Sequence, residues 1–356
     1  MTAAHVLVFP AWRDNPYLTM LSLAARARQY RFLSATTFSS LIAQGDRLGS
    51  GDVLHIHWTS PIIQQAGSRE EAATRLEHLR RALKAWHARG VRLVWTIHNR
   101  LPHEMVYRDK EIQLYRLLAA SADRIHVMAP ETASLVADVC ELPAERVIVI
   151  AHPSYAGIYD GTIDRAHARR SFGLSREDHS VLFLGQIRPY KGVEALVEAV
   201  QRVRRPDGHE PVLLLAGAPK DGAEETIHEL VPASLRAHTH FEFVADADIA
   251  RWFLAADVAV FPYRAILNSG SVHLAATFRV PTILPDEPHL RQQFADEPWI
   301  GFFDPSAPAE SIAALISDPD TFAGLDERGF DDFLERTSPW EVSRAYADML
   351  DDVTAA

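Results

Sequence analysis

At 356 residues, 47% apolar and 23% charged, the chain is long enough for two domains, since single cores stop growing near ~250–300 residues. No apolar run approaches the roughly 18–20 residues of a membrane span. The N-terminus lacks the basic and small-residue signature of a secretory signal, so a cytoplasmic location is expected. The lone Cys140 excludes an internal disulfide and argues against a thiolate metal cluster.

The net charge of −11 is unevenly spread. Residues 1–150 carry 18 Lys and Arg against 14 Asp and Glu, whereas the remainder carries 18 against 33. A basic half joined to an acidic half suggests that the first approaches an anionic ligand or surface. Much of the excess lies in the helical stretch 69–89, where Arg75, Arg80, Arg81, Lys84 and Arg89 surround Trp86. Such a helix can face anionic lipid headgroups, although Glu70, Glu71 and Glu77 also fit a solvated face.

Strand-like runs alternate with helical patterns along the chain, which predicts βαβ units and parallel sheets. The first strand, 5–9, opens into Ala11-Trp12-Arg13-Asp14-Asn15-Pro16-Tyr17. Asp14 or Asn15 there suits a helix cap, with Pro16 in the first turn. A helix is predicted over 17–31 and a strand over 53–58. His55 and His57 lie two apart on that strand, and without a third ligand they suit satisfied core or rim positions better than a metal pair. Further strands are predicted at 92–97, 124–128 and 147–151. The first of these runs into His98-Asn99-Arg100-Leu101-Pro102-His103-Glu104, a polar rim loop. Residues 152–172, with Pro153, Gly157 and Gly161, suit a connection between two domains.

In the second half, strands are predicted at 181–187, 212–216, 241–245, 258–262, 282–285 and 301–303. The first belongs to the most informative segment. Phe183-Leu184-Gly185-Gln186-Ile187-Arg188-Pro189-Tyr190-Lys191-Gly192 joins a buried strand to a helix N-terminus through a Gly-bounded loop with two cations. Backbone N–H groups, the helix dipole and the formal charges of Arg188 and Lys191 all favour a diphosphate there. A second anion site is expected at Asn268-Ser269-Gly270-Ser271, which opens the helix 272–278. The chain closes on a helix beginning at Pro339-Trp340. No Gly-x-Gly-x-x-Gly follows the first strand and no Walker sequence is present, which disfavours a dinucleotide enzyme and excludes a P-loop kinase or ATPase.

The loop 185–192, Ala256-Asp257-Val258-Ala259-Val260-Phe261-Pro262-Tyr263 with Asn268-Ser269-Gly270-Ser271, Val94-Trp95-Thr96-Ile97-His98-Asn99 and the terminal Trp340 helix together resemble a GT-B-fold glycosyltransferase of the family 4 type. The resemblance implies two Rossmann-like doubly wound α/β domains facing a cleft: residues 1–160 for the acceptor and 161–338 for the nucleotide sugar. The C-terminal helix 339–356 would cross back to the first domain. It implies a hexosyltransferase that needs no cofactor, taking GDP-mannose or a UDP-sugar to a saccharide or lipid-linked acceptor, and the charge of Arg188 and Lys191 suggests that it works without a metal ion. Peripheral contact with an anionic membrane surface, at its inner face, would suit that role, and no nucleic acid is expected. A non-catalytic sugar-nucleotide-binding protein, a GT-B sugar-nucleotide epimerase and a peripheral membrane scaffold are the alternatives.

By the same resemblance, the donor contacts are Gly185, Gln186, Arg188, Lys191, Ala216, Gly217, Val244, Asn268, Ser269, Gly270 and Ser271. Lys191 matches the family Lys, while the family Arg position holds Gln186, with Arg188 two residues on as its substitute. His98 matches a His that touches the transferred sugar, and Asp14 and Glu104 are base candidates for an inverting reaction. Trp12, Arg13, Asn15 and His103 would bind the acceptor. The family's Glu pair is replaced by Ile266 and Leu274, which shifts sugar recognition toward the Ser-Gly-Ser backbone and His273. That departure resembles a sister group close to bacterial polysaccharide mannosyltransferases.

Overall fold

Continuous apolar runs such as Val181–Leu184 and Val212–Ala216 need cover on both faces, which only helices on either side of a parallel sheet supply. In the computed structural model, which describes residues 4–12, 15–159, 163–220, 227 and 229–355, they lie at the centre of one of two parallel sheets. The first sheet contains β1 (His5–Phe9), β2 (Arg31–Ser34), β3 (Val53–Ile56), β4 (Arg92–Thr96), β5 (Arg124–Val127) and β6 (Val147–Val149), in the order β2-β1-β3-β4-β5-β6. The second contains β7 (Ser180–Leu184), β8 (Val212–Ala216), β9 (Ala237–His240), β10 (Val258–Val260), β11 (Thr282–Pro285) and β12 (Ile300–Phe303), in the order β12-β11-β10-β7-β8-β9. The chain divides into one unit of Met1–Pro153 with Thr337–Ala356 and another of Ser154–Arg336.

Each sheet reverses its direction of winding once, between β1 and β3 in the first and between β7 and β10 in the second. At such a switch point the loops leaving the carboxyl ends of two strands part to opposite faces, and ligands bind there in open α/β sheets. In the second unit Asp257 braces the opposite end of this pair. Its carboxylate accepts from Ser180 N at 2.7 Å and from the buried Arg169 at 2.9 Å. Burial alone would raise that carboxyl, but the Ser180 N–H and Arg165 hold it below its usual range.

Two predicted elements move. The helix predicted over 17–31 stops early and the chain turns into β2, because Gln29 adopts a left-handed φ of 72°. The strand predicted at 241–245 forms instead at β9, an edge strand hydrogen-bonded on one side to β8. Its half-exposed position suits Ala237-His238-Thr239-His240 and removes the apolar signal.

The C-terminal helix, Pro339–Ala355, packs on the first unit, where Val342, Tyr346, Met349, Leu350 and Val353 join Val6, Val53 and Val94 in one core. Trp86, expected beside a cationic membrane-facing patch, is buried and donates its indole N–H to Asp46 at 2.9 Å. The inner face of its helix, Arg69–Ala88, is spent on packing, and Arg75, Arg80 and Arg81 pair with Glu71 and Glu77. No described helix is long and apolar enough to cross a membrane.

Candidate active site

At the second switch point, β7 ends just before Gly185 and the neighbouring β8 just before Gly217, with φ of 152° and 142° that L side chains rarely adopt. The two glycines are in backbone contact: a methyl group on Gly217 would lie 1.9 Å from the Gly185 carbonyl oxygen. Gly192, at φ 63°, ends the loop and brings it against Pro262, whose carbonyl oxygen would be 2.1 Å from a methyl group there. The three glycines therefore let the loops after β7, β8 and β10 close on each other.

Two polar groups converge on this floor. A methyl group on Gly185 would meet Lys191 Nζ at 3.1 Å and Ser271 Oγ at 3.8 Å. Lys191 also sits over the Tyr263 ring at 5.4 Å. Ser271 lies in the first turn of the helix Gly270–Thr277, whose N-cap Ser269 makes no side-chain capping bond. A cation, a hydroxyl and a helix N-terminus thus surround one small space, the donor set that phosphate oxygens require.

Arg188 is placed differently. Its guanidinium donates to the carbonyls of Ile187 at 2.9 Å and Ala218 at 3.4 Å, which ties the two loops together. Gln186 is exposed, and Asn268 and Gly270 are half-buried beside Ser269. Ala216 and Val244 belong to the hydrophobic core, and the Ala216 carbonyl accepts the Gly185 N–H at 3.0 Å. His273 is a core residue: it is buried, with its ring 5.2 Å from Phe333, and it does not take the sugar-facing place allowed by the sequence.

The first switch point gathers aromatic rings. Trp12, 39% exposed after β1, lies 4.7 Å from Trp58 after β3. Trp58 in turn stacks on His98, which follows β4, at 4.0 Å with an 18° interplanar angle. His98 Nε2 is 3.0 Å from His57 Nδ1, and Tyr17 sets its ring edge-on to both imidazoles. One layer deeper, Tyr346 Oη is 2.8 Å from His55 Nδ1, His55 Nε2 is 2.7 Å from Thr96 Oγ1, and Thr96 Oγ1 is 3.0 Å from His126 Nδ1. His126 Nε2 closes the ladder on the Ile150 carbonyl at 2.9 Å. His55 and His57 share one face of the strand end, with ring centroids 3.9 Å apart.

Burial pushes His126 and His152 down to about 4 and holds His55, His57 and His98 well below the ordinary imidazole value. Neighbouring imidazoles deepen the shift for His55, His57 and His98. All five are therefore neutral near pH 7, and the His57–His98 hydrogen bond has one N–H and one lone pair. Among the described residues no group of three or more His, Cys, Asp and Glu could hold a metal ion.

Around this stack, Asn15 caps the helix Pro16–Leu21 by accepting the Tyr17 N–H at 3.0 Å. Arg13 and Asp14 lie outside the described residues. His103 and Glu104 are exposed on the loop after β4. The far end of that loop is pinned by Gln64, which accepts from Val106 N and Tyr107 N and donates to buried Glu111 at 2.5 Å. Burial raises the Glu111 carboxyl above its usual range. Trp58, Thr96, His126, Tyr346 and Glu111 were not singled out from sequence. The available signal was period-two His and Thr in otherwise apolar strands.

The model of the family described as "Glycosyl transferases group 1" matches residues 164–331, within the second unit. The chain is 26% identical over 287 residues to a GDP-mannose:glycolipid 4-beta-D-mannosyltransferase of Xanthomonas campestris pv. campestris, covering 78% of this chain and 71% of that one. In structure it matches Anabaena HepE, solved with UDP and glucose, at a TM-score of 0.75 and 13% identity, covering 98% of this chain and all of that one. The chain is a GT-B glycosyltransferase. The sucrose-phosphate synthase of Thermosynechococcus elongatus shares the fold at a TM-score of 0.70 and 16% identity, with 99% of each chain covered. In this glycosyltransferase both sheets follow the same plan, each with polar groups at its switch point.

Proposed function

We propose that this glycosyltransferase moves a hexose from a nucleotide diphosphate, with GDP-mannose the first donor to test, to a saccharide or glycolipid acceptor without a bound metal ion or other cofactor. The observation that carries the proposal is the convergence of Lys191 Nζ, Ser271 Oγ and the N-terminus of Gly270–Thr277 on the glycine floor at Gly185 and Gly217. As the glycosyl bond breaks, charge grows on the departing diphosphate. A fixed ammonium and backbone N–H groups aimed at that charge lower the barrier without any divalent ion. Arg188 holds the loop in shape through the Ile187 and Ala218 carbonyls rather than serving as the nearest cation.

In the first unit His98, clamped between Trp58 and His57, hydrogen-bonds a hydroxyl of the transferring sugar as a neutral imidazole. Trp12 and Trp58, in contact with their rings tilted by 31°, offer an apolar face to the acceptor sugar. In an inverting reaction the proton of the acceptor hydroxyl passes to Asp14 or Glu104, and in a retaining one to the leaving phosphate. GDP-mannose and a glycolipid acceptor follow from the similarity to the Xanthomonas enzyme. The exposed row Arg80, Arg81, Lys84 and Arg89 is the surface that would approach anionic headgroups, placing the enzyme at a membrane face.

The test is thermal shift of the purified protein against GDP-, UDP-, ADP- and dTDP-sugars, with Lys191→Ala as control. Product analysis with and without acceptor follows. A shift with one nucleotide class that Lys191→Ala abolishes, followed by acceptor-dependent product in the presence of EDTA, supports the proposal. No shift with any nucleotide sugar overturns it. An isomerised nucleotide sugar formed without acceptor makes the enzyme an epimerase instead.

A further inference from the structure

His57 touches neither donor nor acceptor in the proposed reaction, yet it is buried and its Nδ1 lies 3.0 Å from Nε2 of His98. Packing alone does not ask for an imidazole here. An apolar side chain would fill the space without burying polar nitrogens, which are costly unless hydrogen-bonded. The deeper ladder is complete without His57, because His55, Thr96 and His126 connect Tyr346 to the Ile150 carbonyl directly.

We propose that His57 is a positioning residue for His98: their hydrogen bond sets which nitrogen of His98 carries the proton and locks its ring flat against Trp58. The proposal rests on the assignment of His98 as the residue that contacts the transferring sugar. The geometry gives two constraints at right angles. The Trp58 stack fixes the plane of the ring, and the bond to His57 fixes its rotation within that plane. One N–H is shared along the Nδ1–Nε2 line, so the two rings hold complementary tautomers, and with His57 held in one of them His98 presents one defined group to a sugar hydroxyl rather than a mixture of two. Tyr17 stands edge-on to both rings, and His55, His126 and His152 complete the titratable surroundings.

The experiment compares His57→Leu and His57→Asn in the full chain, the second retaining an amide near the Nδ1 position. With His57→Leu, kcat falls about 10- to 100-fold, as misplacement of a contact group does. Donor-induced thermal shift persists, and the acid limb of kcat/KM moves, because His98 no longer shares a hydrogen bond with a second imidazole. His57→Asn recovers most of kcat. Wild-type kcat and pH profile in a folded His57→Leu, or equal losses in both variants with no change of profile, overturn the proposal. Should His57→Leu fail to fold, imidazole 15N shifts of the wild type decide: one tautomer each for His57 and His98 supports it, and averaged tautomers overturn it. Absence of sugar transfer by the wild type sinks the functional assignment alone, and the 15N measurement still reports on the pair.

Discussion

Gly217 is pressed so closely against Gly185 that an added methyl group would stand 1.9 Å from the Gly185 carbonyl oxygen. Gly217 cannot accept a side chain without parting the ends of β7 and β8, and that contact forms the floor on which Lys191 and Ser271 converge. Gly217→Ala is therefore expected to lower stability by about 1–3 kcal/mol from backbone strain alone. It should also abolish the donor-induced thermal shift. Urea midpoints and donor titration of the variant check both, and a fully donor-responsive variant would show that the contact is dispensable.

Lys191→Met removes the ammonium nearest the floor while keeping most of the side chain's length. We expect kcat/KM to fall about 100- to 1000-fold, the loss typical of one charge-stabilising group. The unliganded urea midpoint should move by less than about 0.5 kcal/mol, as for a surface substitution. An equal loss of stability and activity would instead make Lys191 a structural residue.

The histidine cluster makes stability depend on pH with a definite sign. His126 and His152 bind a proton near pH 4 in the folded chain, against an ordinary value of 6.5. Below 6.5 the unfolded chain holds more protons, so stability is complete above about pH 7 and is lost as pH falls from 6.5 toward 4. Each of the two contributes up to about 3 kcal/mol of that loss. Urea midpoints from pH 7.5 to 5 should decline steadily. A flat profile would mean that these imidazoles are already charged in the fold.

Two kinds of interaction hold the C-terminal helix, and their magnitudes differ. Tyr346 and His55 meet at 2.8 Å in the core, whereas Arg28 pairs with Asp348 and Asp351 at 2.6 Å on the surface. Tyr346→Phe keeps the ring but strands a buried imidazole nitrogen, at about 1–3 kcal/mol. Arg28→Ala should cost less than about 1 kcal/mol, because exposed ion pairs are screened. Chemical denaturation of both variants checks the order, and a larger loss for Arg28→Ala would reverse it.

Much of the fold was legible because buried parallel strands are written as unbroken apolar runs, as in Val181–Leu184 and Val212–Ala216. β2 was hidden because the preceding helix ends at Gln29 rather than at a glycine, so no punctuation marks the turn. β9 was hidden because an edge strand needs no apolar face. In the site, the loop 185–192 announces itself through glycine and charge at short spacing, and so does the serine-rich start of the helix at Gly270. Burial of Trp86 and His273 was not legible, because a side chain's exposure depends on what packs over it.

By itself the sequence determined the alternation of strand and helix, the two parallel sheets and the Gly-bounded cationic loop, since these depend on residues within a few positions of each other. Only the tertiary structure decided which polar groups meet. His55 reaches Thr96 across 41 positions and Tyr346 across 291, and Lys191 and Ser271, from two different helix starts, both border Gly185. Such pairings depend on strand order and register, which bring distant side chains to one edge of a sheet and leave buried imidazoles only one another, a hydroxyl or a carbonyl to bond.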